Sequence, residues 1–145
     1  MDLRAVIFCF VVLLAATLNF GFFVGDIDNP DHHNVYELFA ATVISIVATV
    51  LKLGDRTHLG AVHLATSLVA DLQLVVAAGL WVYVSWFVAE GLTPATTTVV
   101  VSLSGGALLA NVVSVLLLVV EATSFSRRRS TGAVSDDSDG SAGSD

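Results

Sequence analysis

The chain has 145 residues, of which 55% are hydrophobic and only 13% are charged, and its formal net charge is −7. A soluble globular domain carries about 25% charged residues, so this composition argues strongly against a soluble enzyme. The single cysteine excludes an internal disulfide, and the six Lys and Arg residues of an acidic chain argue against nucleic-acid binding. The composition is that of a small integral membrane protein.

Four stretches are long and apolar enough to cross a membrane, since a spanning helix needs about 20 mostly apolar residues. They lie at about residues 5–25, 35–53, 59–89 and 94–121. Each run is continuous rather than alternating, which excludes a membrane β-barrel. The first run is longer than the core of a secretory signal, so we expect a retained helix.

Short connections with helix-capping residues separate these stretches. Asn34 and Thr93 suit N-caps of the second and fourth helices, and Pro94 suits a first helical position. Short loops make sequential helices antiparallel neighbours. The sequence therefore predicts an all-α fold, a transmembrane up-down-up-down four-helix bundle over residues 1–124.

Residues 125–145 have a different composition. A basic stop at residues 127–129 precedes a Ser-, Asp- and Gly-rich segment without large apolar side chains. Such a segment buries too little apolar surface to offset its ordering entropy, which predicts a disordered acidic tail. The acidic balance and the single lysine are typical of halophilic proteins.

The basic residues predict the orientation. Arg4 precedes the first span, Lys52 and Arg56 flank the second loop, and residues 127–129 follow the fourth span. With four spans, all of these positions lie on one side, and basic residues mark the cytoplasmic side. We therefore expect a multi-pass protein of the cell membrane with both termini in the cytoplasm.

Asp71 is the main polar group at membrane depth. It lies 12 residues beyond Leu59, about 18 Å along a helix, and a charged Asp at the bilayer centre costs about 2.5–3.5 kcal/mol. Gln73 projects about 200° away, so the third helix is expected to touch protein on two sides. The candidate intramembrane polar site comprises Asp71, Ser67, His63, Asn111 and Gln73, and Ser45, Thr49 and Asn19 add polar groups on the first two helices.

Three roles are open for Asp71. It is a structural residue bonded to Asn111 or Ser67, a proton or cation site, or a contact for a ligand or lipid headgroup. Helix packing is predicted separately at Ser102, Gly106 and Ala110, whose small side chains allow close packing of the third and fourth helices.

The loop before the second helix is a candidate outer cation site. Its oxygen and nitrogen ligands are Asp26, Asp28, Asp31, His32 and His33. Pro30 departs from the calcium-loop pattern, so the alternative is a rigid, solvated turn that caps the second helix.

No catalytic or metal motif is recognisable, so we expect no enzyme activity, no cofactor and no nucleic-acid partner. The first functional hypothesis is a non-enzymatic structural, interaction or accessory subunit, whose partners are the lipid bilayer and either a second copy or another membrane protein. The alternative is a small oligomeric ion or proton transporter or channel that uses Asp71.

Six blocks of the sequence carry a resemblance to a known family: residues 18–23, 25–30, 32–40, 51–57, 65–73 and 105–111. They resemble a small four-span membrane protein family of unknown function from halophilic archaea and some bacteria, and the resemblance covers about residues 1–121. It implies a four-span fold, but it implies no activity and identifies no functional residues.

Overall fold

The computed structural model describes residues 3–53 and 58–139, and their regular structure is entirely helical. The helices are α1 (Leu3–Phe23), α2 (Val35–Lys52), α3 (His58–Phe87) and α4 (Pro94–Asp139), with a short 3-10 helix at Pro30–His32 before α2. This arrangement confirms the predicted all-α four-helix bundle.

Each α-helix contains a segment that is long and apolar enough to cross a membrane. These segments are Val6–Phe23, Val35–Lys52, Gly60–Phe87 and Pro94–Glu121. Large apolar side chains remain exposed along all four helices, which suits a surface in contact with lipid rather than water. The protein is therefore a multi-pass membrane protein.

The helices form a closed ring. Helix α1 packs against α2 and α4, and α3 packs against the same two helices. The basic end of the bundle, as we call it, contains the start of α1, the end of α2 and the start of α3. The opposite end contains the loops at residues 24–34 and 88–93. Arg56, which contributes to the predicted orientation, lies outside the described residues.

The helix boundaries follow local capping interactions. The Asn34 side chain accepts a hydrogen bond from the backbone N–H of Tyr36, as an N-cap does. Thr93 and Thr96 cap the start of α4 reciprocally, each hydroxyl accepting from the other residue's backbone N–H. Both α1 and α3 end two residues earlier than the sequence predicts, shortly before Gly25 and Gly91, which have positive φ angles of 138° and 65°.

The fourth helix is longer than its membrane-crossing segment. Its helical backbone continues to Asp139, through the basic stop and most of the acidic segment. The structure therefore does not confirm the predicted disordered tail, and residues 140–145 lie outside the described residues.

The core changes character along the bundle. Above the level of Ser45 and Asp71, toward the opposite end, it contains large apolar side chains, such as Phe22 packed edge-on against Trp81 at 5.8 Å between ring centroids. Alanines pack beside them, and this half also buries the polar residues Asn19, Thr42, Thr97 and Ser104. We call this part the apolar half. In the polar half, toward the basic end, the described buried side chains larger than alanine are polar except for Val12. They are Ser45, Thr49, Lys52, His63, Ser67, Asn111 and Ser114.

Candidate functional site

Asp71 contacts a neighbouring helix through Ser45. The Ser45 hydroxyl donates a hydrogen bond of 2.6 Å to Asp71 Oδ1, which joins α2 to α3. The carboxyl group therefore faces protein, which agrees with the high free energy of a carboxyl group that has no hydrogen-bond partner in lipid. Its partner differs from the predicted ones, because neither Ser67 nor Asn111 is bonded to Asp71 in the described part of the chain.

Ser67 and His63 continue the buried face of α3 toward the basic end. Ser67 is 6% exposed and His63 is 1% exposed, with its ring 5.2 Å from the ring of Phe8 on α1. The predicted stripe of Asp71, Ser67 and His63 is thus turned inward. His63 takes part in the packing of α3 against α1, diagonally across the bundle.

An ion pair lies beside His63 at the basic end. Lys52 Nζ is 3.4 Å from Glu121 Oε2, which joins α2 to α4, and it lies 5.1 Å from the centre of the Phe8 ring. Only 9% of the Lys52 side chain and 23% of the Glu121 side chain are exposed. The pair keeps two charges neutralised where the helices leave the membrane-crossing region.

Gln73 and Asn111 are placed between α3 and α4. Gln73 lies against Gly106, where a Cβ atom would approach Gln73 Nε2 to 2.5 Å. Because Asp71 contacts α2, this contact agrees with the prediction that the third helix touches protein on two sides. Asn111 is 4% exposed and belongs to the buried face of α4, which also contributes Ser114 to a hydroxyl contact of 3.0 Å with Thr66.

The predicted packing ladder on α4 is only partly at the helix interface. Gly106 makes the close approach to α3, and Ala110 packs against the core. Ser102 is exposed, because the buried face of α4 passes through Ser104 instead.

Asn19 and Ser104 form a reciprocal pair that the sequence did not connect. The Asn19 amide donates to the Ser104 carbonyl oxygen at 3.1 Å, and the Ser104 hydroxyl donates to the Asn19 amide oxygen. Both residues are fully buried, so the pair fastens α1 to α4 within the apolar half. Asn19 lies four residues before the end of α1 and Ser104 ten residues after the start of α4, so depth in the sequence did not point to this pair.

The residues of the candidate outer cation site do not converge. Asp28 and Asp31 are exposed, while His32 Nδ1 lies 3.2 Å from Asp26 Oδ2. Among the described residues, no group of three or more His, Cys, Asp or Glu side chains is arranged to hold a metal ion. The geometry instead supports the alternative of a turn that orders the entry into α2.

His33 fastens this turn to the end of α1. Its ring is buried, with Nδ1 2.6 Å from the Phe22 carbonyl oxygen and Nε2 3.0 Å from the Asp26 carbonyl oxygen. The Phe22 carbonyl group belongs to the last turn of α1, where helical partners are lacking, and Asp26 follows that turn. His33 therefore acts as a bridge between loop and helix rather than as a ligand in a metal group.

We expect His33→Leu to lower the free energy of unfolding by about 1 kcal/mol, because it removes the ring contacts to two carbonyl groups. His32→Leu is the matched control, since the His32 side chain is 46% exposed. Thermal unfolding in detergent measures both variants. Equal melting temperatures for the two would contradict the assigned role of His33.

The sequence of the chain assigns it to a protein family. The signature of DUF6394, a family of unknown function, matches residues 32–122, and the chain belongs to this family. The match includes α2, α3 and the membrane-crossing part of α4, and therefore the Ser45–Asp71 and Gln73–Gly106 contacts. Occurrence in halophilic archaea stays a prediction. No curated protein and no solved structure matches the chain.

Proposed function

We propose that the protein is a non-enzymatic subunit of the cell membrane with a structural, interaction or accessory role. The observation that carries this proposal is the Ser45–Asp71 hydrogen bond, which uses the most costly polar group of the spans to join two helices. Asn19 and Ser104 do the same between α1 and α4. The partners proposed are lipid and either a second copy or another membrane protein.

A second candidate is a small oligomeric transporter or channel for ions or protons that uses Asp71. It is favoured by the position of Asp71 at the boundary of the polar half, whose buried side chains include Ser67 and Asn111. Four helices enclose little space, so this candidate requires oligomerisation.

One experiment separates the two candidates. The parent protein and Asp71→Asn are crosslinked in native membranes and also reconstituted into liposomes for flux measurements. For a structural or accessory subunit, both proteins yield a crosslinked complex of fixed composition and neither gives a flux. A pH-driven flux that the parent has and Asp71→Asn lacks would support the transporter instead.

We further propose that both termini are cytoplasmic, because the chain's basic residues favour that side. In a Cys9→Ser background, single cysteines are introduced at Asp28 in the loop and at Ser130 beyond the basic stop. An impermeant thiol reagent added to intact cells is expected to label position 28 and not position 130. Labelling of position 130 alone would reverse the topology.

A further inference from the structure

The polar half contains buried donors that have no acceptor among the described residues. Thr49 Oγ1 and Asn111 Nδ2 are two such atoms, and their residues are only 5% and 4% exposed. The buried Thr97 hydroxyl, near the start of α4 in the apolar half, also has no partner among the described residues, so it is the grouping of Thr49 and Asn111 around Asp71 that distinguishes the polar half. A buried donor left without a partner costs about 1–3 kcal/mol. Both residues lie on inward faces of their helices. Their donors therefore need a hydrogen-bond acceptor inside the bundle.

The register of α2 against α3 brings one of these donors close to Asp71. The Ser45–Asp71 contact places those two residues at one level. Thr49 and Ser67 each lie four residues nearer the basic end, about 6 Å along their helices. Thr49 and Ser67 therefore occupy the next turn below the carboxyl group on the two facing helices.

The register of α3 against α4 brings the second donor to the same place. Thr66 contacts Ser114, and Asn111 lies three residues farther from the basic end than Ser114, or about 4.5 Å. Because the helices are antiparallel, that level on α3 falls between Ser67 and Asp71. The unpartnered donors on α2 and α4 thus flank the same short segment of the bundle interior.

We infer that water occupies the polar half of the bundle, from the basic end up to Asp71. Buried water typically makes about three hydrogen bonds to polar groups that lack protein partners, which is what Thr49 and Asn111 require. Phe22 and Trp81, packed together in the apolar half, close the path on the other side.

The inference goes beyond the proposed function and is independent of it. Water that reaches Asp71 from the basic end, past the Lys52–Glu121 ion pair, hydrates the carboxyl group without carrying anything across the membrane. It makes the Asp71 carboxyl group a site that exchanges hydrogen bonds with water from the basic end alone. In a transporter, this water would form the half of the permeation path that leads to Asp71. In an accessory subunit, it would be structural water that completes the hydrogen bonds of the buried side chains.

Two buried asparagines provide a test in the unsubstituted protein. The Asn111 amide nitrogen has no partner among the described residues, whereas the Asn19 amide nitrogen is bonded to the Ser104 carbonyl oxygen. Transferred into deuterated buffer and followed by NMR in detergent, the Asn111 side-chain amide is expected to exchange at least about ten-fold faster than that of Asn19. Equally slow exchange of both amides would overturn the inference.

Cysteine accessibility tests whether the path is one-sided. In a Cys9→Ser background, Thr49→Cys is compared with Ala77→Cys, which replaces a fully buried residue of the apolar half. A small water-soluble thiol reagent added on the side of the C-terminal segment is expected to modify position 49 at least about ten-fold faster than position 77. Equal rates, or modification of position 49 only from the other side, would overturn the one-sided path. If a variant fails to give a monodisperse, helical protein, the asparagine comparison decides.

Discussion

Gly106→Leu is expected to loosen the packing of α3 against α4 and to lower the free energy of unfolding by about 1–3 kcal/mol. A Cβ atom at position 106 would lie 2.5 Å from Gln73 Nε2 and 3.0 Å from Gln73 Cδ. The end of the Gln73 side chain is flexible and yields to a methyl group, so Gly106→Ala should cost less. A leucine side chain forces the helix backbones apart, because close approach of helices in lipid depends on small residues.

The chain offers a matched control for this substitution. A Cβ atom at Gly79, on the exposed side of α3, would meet nothing within 4 Å. Gly79→Leu should therefore leave the melting temperature in detergent unchanged or raise it, since leucine is the better helix former. Equal losses for Gly79→Leu and Gly106→Leu would show that the contact with Gln73 does not limit the packing.

Asp71→Leu is expected to lower the free energy of unfolding by about 1–3 kcal/mol more than Asp71→Asn does. The reason is that leucine leaves the Ser45 hydroxyl without its acceptor. Asp71→Asn keeps an acceptor oxygen of similar position and removes the titratable proton. Unfolding in bicelles should show the Asn variant close to the parent and the Leu variant clearly weaker. A Leu variant as stable as the Asn variant would mean that the hydrogen bond contributes nothing.

The fold was predictable because its signals are local. Apolar runs of spanning length, and caps such as Asn34 and Thr93, are properties of neighbouring residues in the sequence. The two-sided contact of α3 was also predictable, because Asp71 and Gln73 project in different directions whatever their partners are. The extension of α4 to Asp139 was not predicted, since composition alone does not show whether an existing helix continues.

The partners of polar side chains were harder to predict. The choice of Ser45 rather than Asn111 for Asp71 depends on which helices are neighbours and on their register, and both are set by packing between distant residues. His33 is similar, because its partners are backbone carbonyl groups and the sequence carries no mark of them. Residue types thus identified the polar side chains at membrane depth but not what each one contacts.

The most direct test of the proposal that polar side chains fasten these helices together is a double-mutant cycle on Ser45 and Asp71. Ser45→Ala, Asp71→Leu and the double variant are compared with the parent by their free energies of unfolding in bicelles. We expect a coupling free energy of about 0.6 kcal/mol, the average for hydrogen bonds between membrane helices, and at most about 1.7 kcal/mol. A control cycle combines Asp71→Leu with Ser102→Ala, at an exposed serine of α4. The losses in free energy of unfolding for these two substitutions should be additive. Additivity of the Ser45 and Asp71 substitutions within about 0.3–0.5 kcal/mol would contradict the proposal.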